Sequence, residues 1–258
     1  MGIRNACAAF AVLLAACGGG SDDSQPGEAP LPPPASANIT LLFMGNSHTS
    51  ANNLTGMVTD MVRAGKPGMT VSSVVAPGLM FLEDRSRDAP SIALLRSQSW
   101  SFVILQAQKY STSGQFTYST AEAKELIRMS REQRAVPVMF PEWPRKDIDE
   151  TARIYNLHVS IAQVEPACVA PIGQAWDLAL ARDPTLQLHD SDGNHSAPAG
   201  AFLAALVLYA TITGQSPLGL PPLPQYPVDV SLQEKLRGIA AETVQTVPPR
   251  MWCPGDAS

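Results

Sequence analysis

Charged residues are scarce in this chain, and basic ones are scarcer than acidic ones. Asp, Glu, Lys and Arg make up 16% of the 258 residues, and 18 Lys and Arg against 23 Asp and Glu leave a net charge of −5. A nucleic-acid-binding surface needs an excess of basic residues, so we expect no nucleic-acid partner. The hydrophobic share of 45% indicates a globular domain with a weakly charged surface.

The N-terminal apolar run is too short to span a membrane. It covers residues 6–16, whereas a spanning helix needs ~20 residues. Because the run follows the basic Arg4, it is typical of a signal peptide over residues 1–16. Leu14-Ala15-Ala16-Cys17 resembles the bacterial lipobox, in which the cysteine is lipidated and begins the mature chain. We therefore expect a membrane anchor at Cys17 in a bacterial cell envelope, on the outer membrane facing the periplasm or the exterior; a plain secretory signal is the alternative.

The following segment, residues 17–38, is rich in Gly, Ser and Pro and has too few large apolar residues to form a core. Its glycines and serines favour a flexible chain, and the prolines at 32–34 favour extended geometry. We interpret this segment as a tether. It would connect the anchor to one domain over residues 39–258, of about 220 residues.

Cysteine is scarce too, with four residues in the chain. Cys7 and Cys17 lie in the N-terminal segments, which leaves Cys168 and Cys253 in the domain. In an oxidising compartment two such cysteines favour a disulfide, here one that ties the C-terminal tail to the body; two unpaired buried thiols are the alternative. No cluster of His and Cys has the spacing of a metal site, and we expect neither a metal nor a cofactor.

Strand-like and helix-like patterns alternate along the domain. Strands are predicted at Leu41–Met44, Val71–Val75, Phe102–Leu105, Val136–Phe140 and Cys168–Pro171. Helices are predicted at Leu54–Ala64, Pro90–Ser97, Ala121–Gln133, Ile148–Gln163, Gly173–Ala181, Ala199–Thr213 and Leu232–Val244. This alternation predicts a three-layer α/β/α, flavodoxin-like fold with a five-stranded, mainly parallel sheet.

Two polar segments lie where the chain passes into a helix. Gly45-Asn46-Ser47 follows the first predicted strand, and Asp192-Gly193-Asn194-His195 comes just before the helix at Ala199–Thr213. Ligands of open α/β sheets gather at the carboxyl ends of the strands. Both segments can therefore reach one crevice.

These segments supply the groups that make a hydroxyl nucleophilic at neutral pH. We predict Ser47 as the nucleophile and His195 as its base. Asp192 lies three residues before His195 and is predicted to orient its ring. Asp190 is the alternative for this role. The nucleophile elbow of α/β-hydrolases would need glycine where Thr49 stands.

The domain resembles the SGNH (GDSL-like) hydrolase superfamily, in the branch with Gly-Asn-Ser in the first block. Gly45-Asn46-Ser47 resembles that block, Gly78 the second block and Gln106-Ala107-Gln108 the third. The last block is similar to Asp192-Gly193-Asn194-His195, an intact D-x-x-H. The resemblance covers nearly all of residues 39–215 and implies the flavodoxin-like fold of a serine esterase.

The resemblance also implies an oxyanion hole, in which preset donors stabilise the charge that develops on the carbonyl oxygen. The backbone amides of Ser47 and Gly78 would be two donors. The third block departs from the family, with Gln-Ala-Gln in place of G-x-N. Gln108 matches the missing asparagine by its offset, and Gln106 is the alternative. Asn46 and Gln106 are also expected to contact substrate.

An aromatic residue is predicted near the same crevice. Trp143 lies in Phe140-Pro141-Glu142-Trp143-Pro144, directly after the fourth predicted strand. It could bind substrate, by stacking on a sugar ring or packing against an acyl chain. The alternative is a tryptophan that caps the core.

We expect from these features a cell-envelope serine esterase that removes a small acyl group, above all acetyl, from a small-molecule or glycan ester. The substrate class rests on the resemblance alone. One alternative is a lipase, phospholipase or thioesterase of the same fold. Another is a non-catalytic lipoprotein that binds glycans through the same cleft. In that case Gln-Ala-Gln would indicate that the oxyanion hole has been lost.

Overall fold

The computed structural model describes residues 39–255. The predicted signal peptide, the anchor at Cys17 and the tether over residues 17–38 lie outside the described residues, as do residues 256–258. Over residues 39–255, no helix combines the length and the apolar character that crossing a membrane requires.

A five-stranded sheet forms the middle layer of the domain. Its strands are β1 (Ile39–Met44), β2 (Val71–Val75), β3 (Phe102–Gln106), β4 (Val136–Phe140) and β5 (Cys168–Val169). They lie in the order β2-β1-β3-β4-β5, and every pair of neighbours is parallel. The predicted fold class is confirmed, with each strand within two residues of its predicted bounds.

Helices cover both faces of this sheet. They are α1 (Ser47–Ser50), α2 (Leu54–Gly65), α3 (Leu82–Arg85), α4 (Ala89–Arg96), α5 (Ala121–Glu132), α6 (Thr151–Ala162), α7 (Ile172–Arg182), α8 (Pro198–Thr213) and α9 (Val230–Thr246). The short α1 and α3 were not predicted. Two 3₁₀ turns, Ala51–Asn53 and Pro217–Gly219, complete the helical segments of the described chain.

The interior strand β1 is buried on both faces, and this explains why all of its residues except Thr40 are apolar. Leu41 and Phe43 belong to one core with α2, α7, α8 and α9. Leu42 and Met44 belong to the core on the other face, with α3 to α6. Successive side chains of a strand point to opposite faces, so one run of apolar residues serves both layers.

Helix α8 is buried on nearly every side, from Gly200 to Ile212. It packs against α2, α7 and α9. The chain enters α2 shortly after Ser47, and it enters α8 three residues after His195. The packing of α2 on α8 therefore brings the two predicted catalytic segments to the same edge of the sheet.

A disulfide joins Cys168 of β5 to Cys253 in the C-terminal tail, across 85 residues of sequence. The backbone amide of Val169 also donates to the carbonyl of Pro249, at 2.9 Å. The tail is thus attached to the edge strand by both a covalent bond and a hydrogen bond.

Candidate active site

The turn that carries Ser47 is held close to the end of β3. Asn46 N and Thr49 Oγ1 both donate to Oε1 of Gln106, at 2.8 and 2.9 Å. A Cβ on Gly45 would lie 2.2 Å from Thr49 Oγ1 and 2.5 Å from Gln106 Oε1. Only glycine therefore fits at this position. The Asn46 side chain accepts from His48 N at 3.1 Å and caps the short helix α1, in which Ser47 is the first residue.

The structure brings Ser47, His195 and Asp192 together as a chain of hydrogen bonds. His195 Nε2 lies 2.8 Å from Ser47 Oγ, and His195 Nδ1 lies 2.5 Å from Asp192 Oδ2. With the proton on Nδ1, the ring donates to the carboxylate and accepts from the serine hydroxyl. This is the arrangement in which a histidine can act as general base.

Asp192 also fixes the loop that carries the histidine. Its Oδ1 accepts from the backbone amides of Asn194 and His195, both at 2.9 Å. The hydrogen bond from the His195 side chain and those from the two amides hold the pKa of Asp192 well below its ordinary value. Asp192 therefore remains an anion that can stabilise an imidazolium.

The rival acid Asp190 has a different role. Its Oδ1 accepts from the amide of Ser191 at 2.7 Å, and its own amide donates to the carbonyl of His195 at 2.8 Å. Asp190 thus supports the loop through its backbone, whereas the carboxylate that meets the imidazole belongs to Asp192.

Trp143 is buried rather than placed in the cleft, which corrects its predicted role in binding substrate. Only 1% of it is exposed, and its ring stacks on Trp176 at a centroid distance of 4.7 Å. Its Nε1 donates to the carbonyl of Asn194 at 2.8 Å. The alternative prediction, a tryptophan that caps the core, describes this position better.

The sequence prediction missed His48. Its buried ring stacks on His195, with centroids 5.0 Å apart, and its Nε2 lies 3.2 Å from the carbonyl of Asn194. Burial, followed by the nearby His195, lowers the pKa of His48 to about 4. A neutral ring at this place would not repel an imidazolium at His195. The available sequence signal was its position directly after Ser47.

Glu142 is a second unpredicted part of the site. Its Oε2 accepts from Gln106 Nε2 at 2.8 Å and lies 4.0 Å from His48 Nδ1. Burial raises the pKa of Glu142 to about 7, against an ordinary value of 4.5. The carboxyl group therefore changes charge near neutral pH, within the cleft that contains Ser47.

This cleft has a volume of about 550 Å³. Beyond the residues already described, its walls carry Phe81, Lys109, Tyr110, Thr112, Tyr118 and Arg145. The two cations have acidic partners in the structure: Lys109 Nζ lies 2.7 Å from Glu83, and Arg145 Nε lies 3.3 Å from Glu150. The cleft is thus lined by aromatic rings and by polar groups of nearly balanced charge.

No protein-family model and no curated protein sequence matches the chain. Solved structures do match it. A candidate SGNH hydrolase from Slackia heliotrinireducens aligns with 66% of this chain and 97% of its own, at 22% identity and a TM-score of 0.53. A DUF4886 family protein from Bacteroides uniformis aligns with 82% of this chain and 96% of its own, at 15% identity and a TM-score of 0.63. The chain has the fold of SGNH hydrolases.

A family 3 carbohydrate esterase from Clostridium thermocellum shares this SGNH fold. It aligns with 66% of this chain and 93% of its own, at 12% identity and a TM-score of 0.52.

Within this SGNH fold, the third block does not supply the predicted oxyanion donor. Gln108 Nε2 donates to the carbonyls of Lys109 and Ser119, both at 2.9 Å, so both of its amide hydrogens are engaged. Gln106 is fully buried, and its Nε2 donates to Glu142. Both glutamines therefore hold neighbouring segments in place, which corrects the assignment of Gln108 to the oxyanion hole and of Gln106 to substrate binding.

Two backbone amides remain as candidate donors. Ser47 is the first residue of α1, and the first amides of a helix have no partner within the helix. Gly78 lies in an exposed loop with φ of 74°, a conformation that favours glycine. This loop contacts the nucleophile turn, since Met80 N donates to the carbonyl of Gly45 at 3.2 Å.

Proposed function

We propose that this protein is a serine esterase that removes small acyl groups, above all acetyl, from carbohydrates. The observation that carries the proposal is the hydrogen-bonded chain from Ser47 Oγ through His195 to Asp192, at 2.8 and 2.5 Å. Such a chain makes a serine hydroxyl nucleophilic without a metal or a cofactor.

The first half of the reaction forms an acyl-enzyme. Ser47 Oγ attacks the ester carbonyl carbon while its proton passes to His195 Nε2, and Asp192 stabilises the imidazolium. The amides of Ser47 and Gly78 donate to the oxyanion of the tetrahedral intermediate. The intermediate then breaks its bond to the alcohol, which takes the proton from Nε2.

Water completes the cycle. It enters where the alcohol has left, gives a proton to Nε2 and attacks the acyl carbon. The second tetrahedral intermediate releases the carboxylic acid, and the proton returns to Ser47 Oγ.

The walls of the cleft support a carbohydrate substrate. Phe81 is 43% exposed and Tyr118 is 42% exposed, so both rings present apolar surface beside the nucleophile. Aromatic faces of this kind pack on the apolar faces of sugar rings, and the polar groups around them can meet sugar hydroxyls. The shared fold of the family 3 carbohydrate esterase is consistent with this choice.

The polar walls also argue against a long acyl chain. Tyr110, Thr112 and Arg145 all line the cleft, and Arg145 Nη2 donates to Thr112 Oγ1. Burying a long alkyl group there would remove the Arg145 side chain, which is 35% exposed, from water without a new hydrogen bond in return.

We further propose that the enzyme acts in the bacterial cell envelope, anchored through a lipidated Cys17. The proposal is supported by the apolar run and lipobox-like sequence before Cys17. Cys17→Ser should release the protein from the membrane fraction or stall its processing. A wild-type protein that is wholly in the soluble fraction, with another N-terminal residue, would contradict it.

Active-site labelling tests whether the protein is an enzyme. A fluorophosphonate should modify wild-type protein at Ser47, and nitrophenyl acetate should be hydrolysed faster than nitrophenyl esters of longer acids. Rates that rise with chain length would indicate a lipase or thioesterase instead. Absence of both labelling and hydrolysis, with binding of glycans retained, would indicate a non-catalytic glycan-binding protein.

A further inference from the structure

Arg85 is a fully buried arginine next to the nucleophile turn. Its Nη1 donates to the carbonyl of Pro77 at 3.0 Å and to Ser91 Oγ at 2.8 Å. Its Nη2 donates to the carbonyls of Gly45 at 2.6 Å and of Gly78 at 2.8 Å. One guanidinium therefore connects the turn before Ser47 to the loop of Gly78.

This environment is costly for a cation. The partners of Arg85 are three carbonyl oxygens and a hydroxyl, and the nearby carboxylate of Asp88 bonds Ser91 Oγ at 2.6 Å. Burial accordingly lowers the pKa of Arg85, although a guanidinium stays charged in proteins. Burying a charged group costs free energy, so packing alone does not explain an arginine at this position.

The bond to Pro77 determines where the amide of Gly78 points. The carbonyl of Pro77 and the amide of Gly78 belong to one peptide unit, and residues 39–255 contain no cis peptide bond. In a planar trans unit the C=O and N–H groups point in opposite directions. Because the carbonyl faces Arg85, the Gly78 amide faces away from it, out of the core.

The neighbouring peptide unit is fixed in the same way. The carbonyl of Gly78 also accepts from Arg85, so the planes on both sides of Gly78 are held while its φ is 74°. The positive charge behind these carbonyls further polarises the amides on the opposite side, which makes them stronger donors.

We propose that Arg85 is a positioning residue that aims the Gly78 amide at the oxyanion and locks its loop to the nucleophile turn. The inference rests on the proposed function, because it requires an ester carbonyl at Ser47. It explains how a site whose third-block glutamines are both engaged elsewhere keeps a preset second donor.

The kinetic test compares Arg85→Ala and Arg85→Lys with wild-type protein on nitrophenyl acetate. Arg85→Ala should lower kcat by ~10²-fold with little change in KM, because the donor acts mainly on the developing charge. Arg85→Lys should lose ~10-fold, since one ammonium group keeps the charge but cannot reach all three carbonyls. Methylguanidinium should restore part of the kcat of Arg85→Ala and leave the wild-type value unchanged.

The control is Arg237→Ala, which removes another buried arginine, from α9 rather than from the site. It should retain wild-type kcat. Arg85→Ala or Arg85→Lys at wild-type kcat, or a loss confined to KM, would overturn the inference. If Arg85→Ala does not fold in a thermal unfolding scan, the kcat of Arg85→Lys decides.

A second measurement does not depend on activity. In an amide NMR spectrum, the Gly78 resonance should move in Arg85→Lys, while that of Gly114, a glycine with the same φ of 74° in another loop, should stay in place. An unmoved Gly78 resonance contradicts the positioning role. If the wild-type protein lacks esterase activity and the Gly78 resonance still moves in Arg85→Lys, the result contradicts the proposed function and not the positioning of the amide.

Discussion

Trp143 and Asn194 are joined by a hydrogen bond of 2.8 Å from the indole nitrogen to the backbone carbonyl. That carbonyl belongs to the peptide unit directly before His195, and the amide of the same unit donates to Asp192 Oδ1. Both ends of the unit are therefore held by side chains. The position of the His195 imidazole therefore depends on a tryptophan that is itself buried.

Trp143→Phe should reduce kcat several-fold, because it removes a hydrogen bond of about 1 kcal/mol that holds the peptide before His195. The phenyl ring retains the packing against Trp176, so the fold should persist. Trp100→Phe is the matched control: Trp100 is equally buried, and its Nε1 donates to the carbonyl of Leu95, in the other core. If both variants lose the same fraction of kcat, the effect is one of general stability.

Ser47→Ala should reduce esterase turnover by ~10³-fold or more, since the amides and the cleft alone leave only residual catalysis. Its thermal unfolding should resemble that of wild-type protein because Ser47 lies in a partly exposed turn. Ser50→Ala, at the exposed end of the same short helix, should stay active. Near-wild-type turnover by Ser47→Ala would show that Ser47 is not the nucleophile.

Asp192→Asn should lower kcat by up to ~10⁴-fold, a smaller loss than that of the serine variant. An asparagine can still accept from the backbone amides of Asn194 and His195, but it cannot stabilise the imidazolium as an anion. Asp190→Asn should stay near the wild-type kcat, since the carboxylate of Asp190 bonds only its own loop. The reverse ranking in steady-state assays would show that the orienting acid is Asp190.

Glu142→Gln should change how stability depends on pH. Burial raises the pKa of Glu142 from 4.5 to about 7, so the folded protein binds a proton that the unfolded chain releases. The contribution of Glu142 to the free energy of unfolding therefore falls as the pH rises from 4.5 to about 7. Over this window the loss amounts to roughly 3 kcal/mol.

Urea unfolding at pH 4.5 and pH 7.5 measures this effect. The advantage of Glu142→Gln over wild-type protein should be larger at the higher pH. The exposed Glu132→Gln should follow the wild-type curve at both values. A difference between Glu142→Gln and wild type that is the same at both pH values would contradict a buried, titrating carboxyl group.

The sequence predicted the sheet well because most residues of β1, β3, β4 and β5 are buried. A run such as Leu41–Met44 is then apolar at every position, a pattern that no surface segment needs. Helix α6 was predicted to begin at Ile148 but begins at Thr151, because Glu150, directly before it, has a φ of −133° and a ψ of −1°, outside the helical region. Conformations of this kind depend on contacts between loops, which a single sequence does not display.

The site divides in the same way, into local contacts that the sequence predicted and non-local contacts that it did not. The spacing of Asp192 and His195 is local, so a turn can bring the two side chains together, and the sequence was enough to pair them. The direction of Gln108 is not local, because it depends on the carbonyl of Ser119, eleven residues further on. The burial of Trp143 likewise depends on Trp176, which comes from a different helix.

The Ser47–His195 hydrogen bond connects residues 148 positions apart, and the helices that follow them pack on each other in the core. Closing so long a loop is entropically expensive and belongs among the late steps of folding. Recovery of esterase activity during refolding should then lag behind the recovery of helical circular dichroism. The rate at which turnover of a chromogenic ester recovers would then measure the docking of α2 on α8 as a late step of folding.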